Sequence, residues 1–151
     1  MCTIDLLEAA KVDLRTASRP EPSRVWKSVS CMMEATDVSV PELRRFARST
    51  VARWGVLEDD GDLALVVTEL VGNAVRHSKG SAVHLLLSAT HSTLIVEVRD
   101  NGHWRDRVAP DTADGPACGG RGLQLVEASS AVVVVQPGRQ GTRVIVKMRA
   151  A

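Results

Sequence analysis

Glu69, Asn73 and His77 stand four residues apart in the stretch Glu-Leu-Val-Gly-Asn-Ala-Val-Arg-His. On an α-helix that spacing stacks them in one polar line. Leu65, Val66, Leu70, Val71, Ala74 and Val75 flank the line, so a carboxylate and an amide are expected against apolar packing. Asn73 offers a neutral oxygen of the kind that completes a Mg²⁺ shell otherwise made of phosphate oxygens and water. Glu69, one turn earlier, is placed to order a water or to accept a proton from an attacking hydroxyl. The competing reading makes Glu69 a solvated helix residue and Asn73 a packing detail. His77 either touches phosphate or closes the helix.

Two glycine-containing turns follow, Asp100-Asn101-Gly102 and Gly119-Gly120-Arg121-Gly122. Asp100 ends an apolar run, where a carboxylate can receive the exocyclic amine of adenine. Guanine presents a carbonyl at that edge and would be disfavoured. Gly102 lets the backbone approach a base closely, although Asp-Asn-Gly is also an ordinary hairpin turn. Gly119, Gly120 and Gly122 can aim backbone N–H groups at phosphates, with a helix starting near Leu123 adding its positive end; a simple glycine hinge is the alternative. Arg121 reaches phosphate or faces solvent. Thr142, after Gly141, donates into a water network beside adenine or is an ordinary strand threonine. Taken together, these residues point to a nucleotide site with a carboxylate beside it.

The elements that must position them can be read along the chain. Residues 1–24 are expected to be a loosely held extension, interrupted by Pro20 and Pro22, and residues 25–151 the domain. Val25 to Met33 is predicted as an edge strand. Ser39-Val40-Pro41-Glu42 predicts a helix start, with serine capping and Glu42 closing a capping box; that helix should end near Trp54-Gly55. A second helix is expected from Asp59–Asp62 to Ser78–Gly80. Val83–Leu87 and Leu94–Val98 read as a hairpin, 103–118 as a mobile loop, Gly122–Ala128 as a short helix, and Val132–Val135 with Thr142–Met148 as a final hairpin. This order predicts an α+β two-layer sandwich, with helices on one face of a mostly antiparallel mixed sheet. A Rossmann arrangement is excluded because the glycine cluster comes late and after a loop. No Walker A sequence is present.

Composition is consistent with one domain. The 151 residues are 44% hydrophobic and 25% charged, and aromatics at 3% imply an aliphatic core. A net charge of +1 gives no basis for direct nucleic-acid or membrane binding. Cys2, Cys31 and Cys118 lack zinc spacing and fit reduced thiols in a cytoplasmic protein.

The set resembles the GHKL superfamily of ATP-binding domains, and most closely its branch of small anti-sigma-factor serine/threonine-protein kinases. The resemblance covers about residues 39–149. Glu69 to Ala74 is similar to the family's N box, which implies that Glu69 is the catalytic base, Asn73 the Mg²⁺ ligand and His77 a residue at the phosphate side. Asp100-Asn101-Gly102 is similar to the first glycine box, whose aspartate recognises adenine. Gly119 to Val126 is similar to the second, with 103–118 as the ATP lid; Gly141-Thr142 resembles the last box. The resemblance implies a Bergerat fold, ATP bound with Mg²⁺, and phosphoryl transfer to a serine on an anti-anti-sigma antagonist. It also implies a sigma-factor partner and homodimerisation. Two departures stand out: His103-Trp104 replaces the further glycine common in the first box, and Ser129-Ser130-Ala131 lacks a Trp-Gly found in actinobacterial relatives. Trp104 is placed to stack near the base, prop the lid or meet a partner. The alternative is a non-enzymatic ATP-binding module that sequesters a partner.

Overall fold

The computed structural model describes residues 27–102 and 132–151. The expected extension, the lid, Trp104, the second glycine box (Gly119, Gly120, Arg121, Gly122, Leu123) and the short helix at 122–128 lie outside them. Within the described residues the order is β1 (Lys27–Glu34), α1 (Ser39–Trp54), α2 (Gly61–His77), β2 (Ala82–Ala89), β3 (Thr93–Asp100), β4 (Val132–Gly138) and β5 (Gly141–Arg149). The five strands form one sheet in the order β1-β2-β3-β5-β4. All four pairings are antiparallel. β1 lies at one edge, as its sequence predicts, and α1 and α2 cover one face: the two-layer sandwich expected.

Alternation along the strands decides which face the helices cover. Val83, Leu85 and Leu87 of β2, Leu94, Val96 and Val98 of β3, and Val144, Val146 and Met148 of β5 are buried in one cluster with Leu43, Ala47 and Val51 of α1. From α2 the same cluster takes Leu63, Val66, Val67, Leu70, Val71 and Ala74. Each Val, Leu or Met among them contributes about 1.5–3 kcal/mol when removed from water, so this aliphatic layer fixes where both helices lie. α1 rests on β1 and β2, whereas α2 lies chiefly across β3.

The opposite face carries Leu86, Ile95 and Ile145 with His84, Arg99, Arg143 and Lys147. In its midst Glu97 is fully buried. Arg99 and Arg143 sit directly opposite each other, like charges that would repel, and both pair with Glu97; Arg143 Nε lies 2.8 Å from Glu97 Oε1. The carboxylate thus lets two cations face each other across β3 and β5, next to the ends of those strands.

Two local expectations are corrected. Ser39 does not cap α1: its hydroxyl bonds back to the Thr36 carbonyl and accepts from Thr36 N at 3.2 Å. Glu42 closes no capping box but pairs with Arg45. The serine is turned backwards because the chain makes its turn at 35–38 and the helix already includes Ser39. The last hairpin is also tighter than expected, with Arg139 and Gln140 alone at the turn. No helix among the described residues is long and apolar enough to cross a membrane.

Candidate functional site

The polar line on α2 forms as predicted, and its members differ in exposure. Glu69 is half-buried, Asn73 is 3% exposed and His77 is exposed in the last turn. Asn73 sinks because Leu70, Val71, Gly72 and Ala74 around it are buried as well, so α2 is enclosed on nearly every side at this level. Its Oδ1 has no hydrogen-bond donor. Buried polar atoms are nearly always paired, and leaving one bare costs about 1–3 kcal/mol. Thr50 Oγ1 on α1 and Arg143 Nε on β5 also lack a hydrogen-bond partner; the amide oxygen of Asn73 differs in that it can only accept.

α2 ends without a glycine cap. Ser78 is fully buried; its hydroxyl donates to the Ala74 carbonyl at 2.6 Å and accepts from Gly80 N at 3.1 Å. This closed turn meets the end of β3. A Cβ on Gly102 would overlap the Ser78 carbonyl oxygen and lie 2.6 Å from Gly80 N, so only glycine permits the approach. From there Gly102 N–H returns to Asp100 Oδ1 at 3.1 Å.

Asp100, 9% exposed, receives a second amide from the other side: Thr142 N–H reaches the same Oδ1 at 3.3 Å. Gly141 makes this possible. Its φ of +135° disfavours other residues, and a Cβ there would run into the Asp100 carbonyl. Two backbone amides therefore fix one oxygen of the carboxylate. A cleft of about 540 Å³ reaches Asp100 and Thr142 from the β4–β5 turn, with Arg99, Arg139 and Arg143 on its rim; neither Glu69 nor Asn73 lines it.

The structure thus joins Asp100, Gly102, Gly141 and Thr142 to the end of the helix that carries Asn73. Glu69 lies one turn further back along α2 and His77 faces outward near the junction. The residues missed from sequence are Ser78, Gly80 and Asn101. Ser78–Gly80 is legible as a helix stop, but its contact with Gly102 depends on the register of β2 with β3. Glu97 was also missed, although a charge inside the apolar run Leu94–Val98 was its visible signal. Among the described residues no group of three or more His, Cys, Asp or Glu side chains could hold a metal.

Two helices packed on one face of an antiparallel sheet form an α+β sandwich, with a bare amide oxygen on the second helix and a fixed carboxylate at the end of a central strand. Residues 33–148 match the histidine kinase-like ATPase domain, and the chain belongs to that family, which implies ATP binding. The fold is similar to the crystal structure of the RsbU and RsbW domains of Rv1364c from Mycobacterium tuberculosis, at 26% identity and a TM-score of 0.58. That match covers 82% of this chain and 32% of the other, so this chain spans about a third of that protein's length. The histidine kinase domain of a blue-light activated histidine kinase from Erythrobacter litoralis is similar at 22% identity and a TM-score of 0.46, covering 77% and 64% of the two chains. No curated protein sequence matches.

Proposed function

We propose that this protein is an ATP-dependent serine/threonine-protein kinase of the anti-sigma type, acting in the cytoplasm on a small anti-anti-sigma antagonist and binding a sigma factor. The observation that carries the reading is the bare, buried Oδ1 of Asn73 one turn after Glu69, in a chain whose family binds ATP. Similarity to a structure containing an RsbW domain supports the same branch.

In this reading Asp100 accepts the exocyclic amine of adenine, with Gly102 and Thr142 holding the carboxylate in place. Asn73 would hold Mg²⁺, which neutralises phosphate charge when bound; a single protein oxygen suits an ion that keeps its waters. Glu69 accepts the proton of the serine hydroxyl as the oxygen–phosphorus bond forms and the bond to the bridging oxygen breaks, releasing ADP. The rest is positioning and electrostatic stabilisation. His77 and the second glycine box (Gly119, Gly120, Arg121, Gly122, Leu123) serve the phosphates, and residues 103–118 act as the lid. The domain comprises residues 25–151.

Calorimetric titration with ATP, with and without Mg²⁺ and with GTP as control, tests the site; a phosphotransfer assay with a candidate antagonist tests the chemistry. Asn73→Ala abolishes Mg²⁺-dependent binding. Glu69→Ala retains binding and loses transfer by about 10²–10⁴-fold. Unchanged transfer in the Glu69 variant would falsify its assignment. ATP binding without transfer to any antagonist would favour the partner-sequestering module, a reading that His103-Trp104 in the first glycine box supports.

A further inference from the structure

The β2–β3 ladder stops at Val83 opposite Asp100. One step further, Ala82 would pair with Asn101 through the backbone. Instead Ala82 N–H donates to the side-chain Oδ1 of Asn101 at 3.0 Å, and Asn101 Nδ2 donates to Ser81 Oγ at 2.9 Å. The carboxamide takes over the work of the strand edge, and the main chain at 101–102 is released to bend beneath the end of α2. Only after that bend does Gly102 lie against Ser78 and Gly80, with its N–H on Asp100.

We infer that Asn101 is a positioning residue for adenine recognition. Its carboxamide ties the exit of β3 to the short connector 78–82 and thereby sets both the aim of the Asp100 carboxylate and its placement relative to Asn73. The same connector leads directly out of α2, so one side chain links the adenine end of the site to the helix that holds the metal-side oxygen. Asn101 itself is exposed and need not touch nucleotide to act in this way. The inference rests on reading Asp100 as the adenine acceptor.

The test measures ATP, ADP and GTP affinity by calorimetry on the full chain and on Asn101→Ala, Asn101→Asp and Ser81→Ala. Loss of two hydrogen bonds that orient the turn is expected to weaken ATP and ADP alike by about tenfold in Asn101→Ala. GTP affinity should change little, so adenine selectivity falls. A purely structural role would lower the melting temperature while leaving that selectivity intact. Asn101→Asp keeps an acceptor for Ala82 N–H, and the Ser81 hydroxyl can turn to donate to it, so selectivity returns to within about threefold of wild type. Ser81→Ala, which removes one of the two bonds, falls between. Wild-type selectivity in Asn101→Ala, or an Asn101→Asp variant as damaged as the alanine, overturns the inference and leaves the role of Asp100 standing. A wild-type chain that binds ATP and GTP equally overturns both.

Discussion

The two helices end in opposite ways. α1 stops at Gly55, in the left-handed region at φ +64°, whose N–H caps the Val51 and Ala52 carbonyls; nothing lies within 4 Å of where its Cβ would be. α2 stops at Ser78, right-handed and fully buried, with the main chain of Gly80 and Gly102 pressed against it. The glycine after α1 is needed for its conformation, whereas Gly102 is needed for its lack of volume. The first kind of end terminates a scaffold helix. The second brings two backbone segments together, and so ties the exit of the strand that ends in Asp100 to the helix that carries Asn73.

Gly102→Ala is the severest way to break this contrast. The methyl group has backbone, not a yielding side chain, in front of it. Overpacking of this sort costs about 3 kcal/mol or more, or roughly 6–12 °C of melting temperature for a domain of this size. Nucleotide binding should be lost with it, since Gly102 N–H is one of the two amides on Asp100. Gly55→Ala is the matched control. Forcing alanine into the left-handed region costs about 1 kcal/mol, roughly 2–4 °C, and ATP affinity should stay at the wild-type value. Thermal unfolding and calorimetry on both variants decide it; equal losses of affinity would mean that the two helix ends serve the site alike.

A smaller effect of opposite sign is expected at Lys79, a non-glycine residue with φ +51° between Ser78 and Gly80. It is exposed, so Lys79→Gly relieves the backbone without removing packing. The gain is at most about 1 kcal/mol, because glycine also gains freedom in the unfolded chain; thermal unfolding should show a rise of about 2 °C. A fall would mean that the α2 end depends on the lysine side chain after all.

How much of this was legible in the sequence follows the same division. Periodicity found both helices and β1, β2, β3 and β5, because each turns an apolar stripe or alternation to one shared core; β4 was legible instead as the continuous apolar run Val132–Val135, which lies largely exposed at the sheet edge. The Gly55 stop was legible for the same reason: its signal is local. Glu69, Asn73 and Asp100 stood out because polar residues interrupt apolar patterns. Ser39 misled, since a serine before Pro and Glu reads as a cap, and only the turn at 35–38 shows that its hydroxyl points backwards. Asn101, Ser78 and Gly80 were not legible as partners. Their contacts arise from the register between β2 and β3, which no single segment encodes.

The other end of α2 supplies the weakest perturbation. There the helices are joined at the surface by Arg48 of α1 and Asp60, with Arg48 Nε 2.7 Å from Asp60 Oδ2. The hydrogen bond from Arg48, ahead of its charge, holds the Asp60 carboxyl below the ordinary carboxylate range, and the same bond to Asp60 raises the guanidinium. The sign follows directly. A carboxyl whose value is lower in the folded chain stabilises above its unfolded value, and that contribution disappears as pH falls through the folded one. Asp60→Asn should therefore lower the melting temperature slightly at neutral pH and low salt, and not at all in strong acid. Both groups are solvent-exposed, so salt should screen the difference at neutral pH as well. ATP affinity should be unaffected, because this pair holds the helices where no backbone segments meet. A large loss of affinity in Asp60→Asn would show that the approach of α2 to β3 is set from its N-terminal end rather than at Ser78 and Gly102.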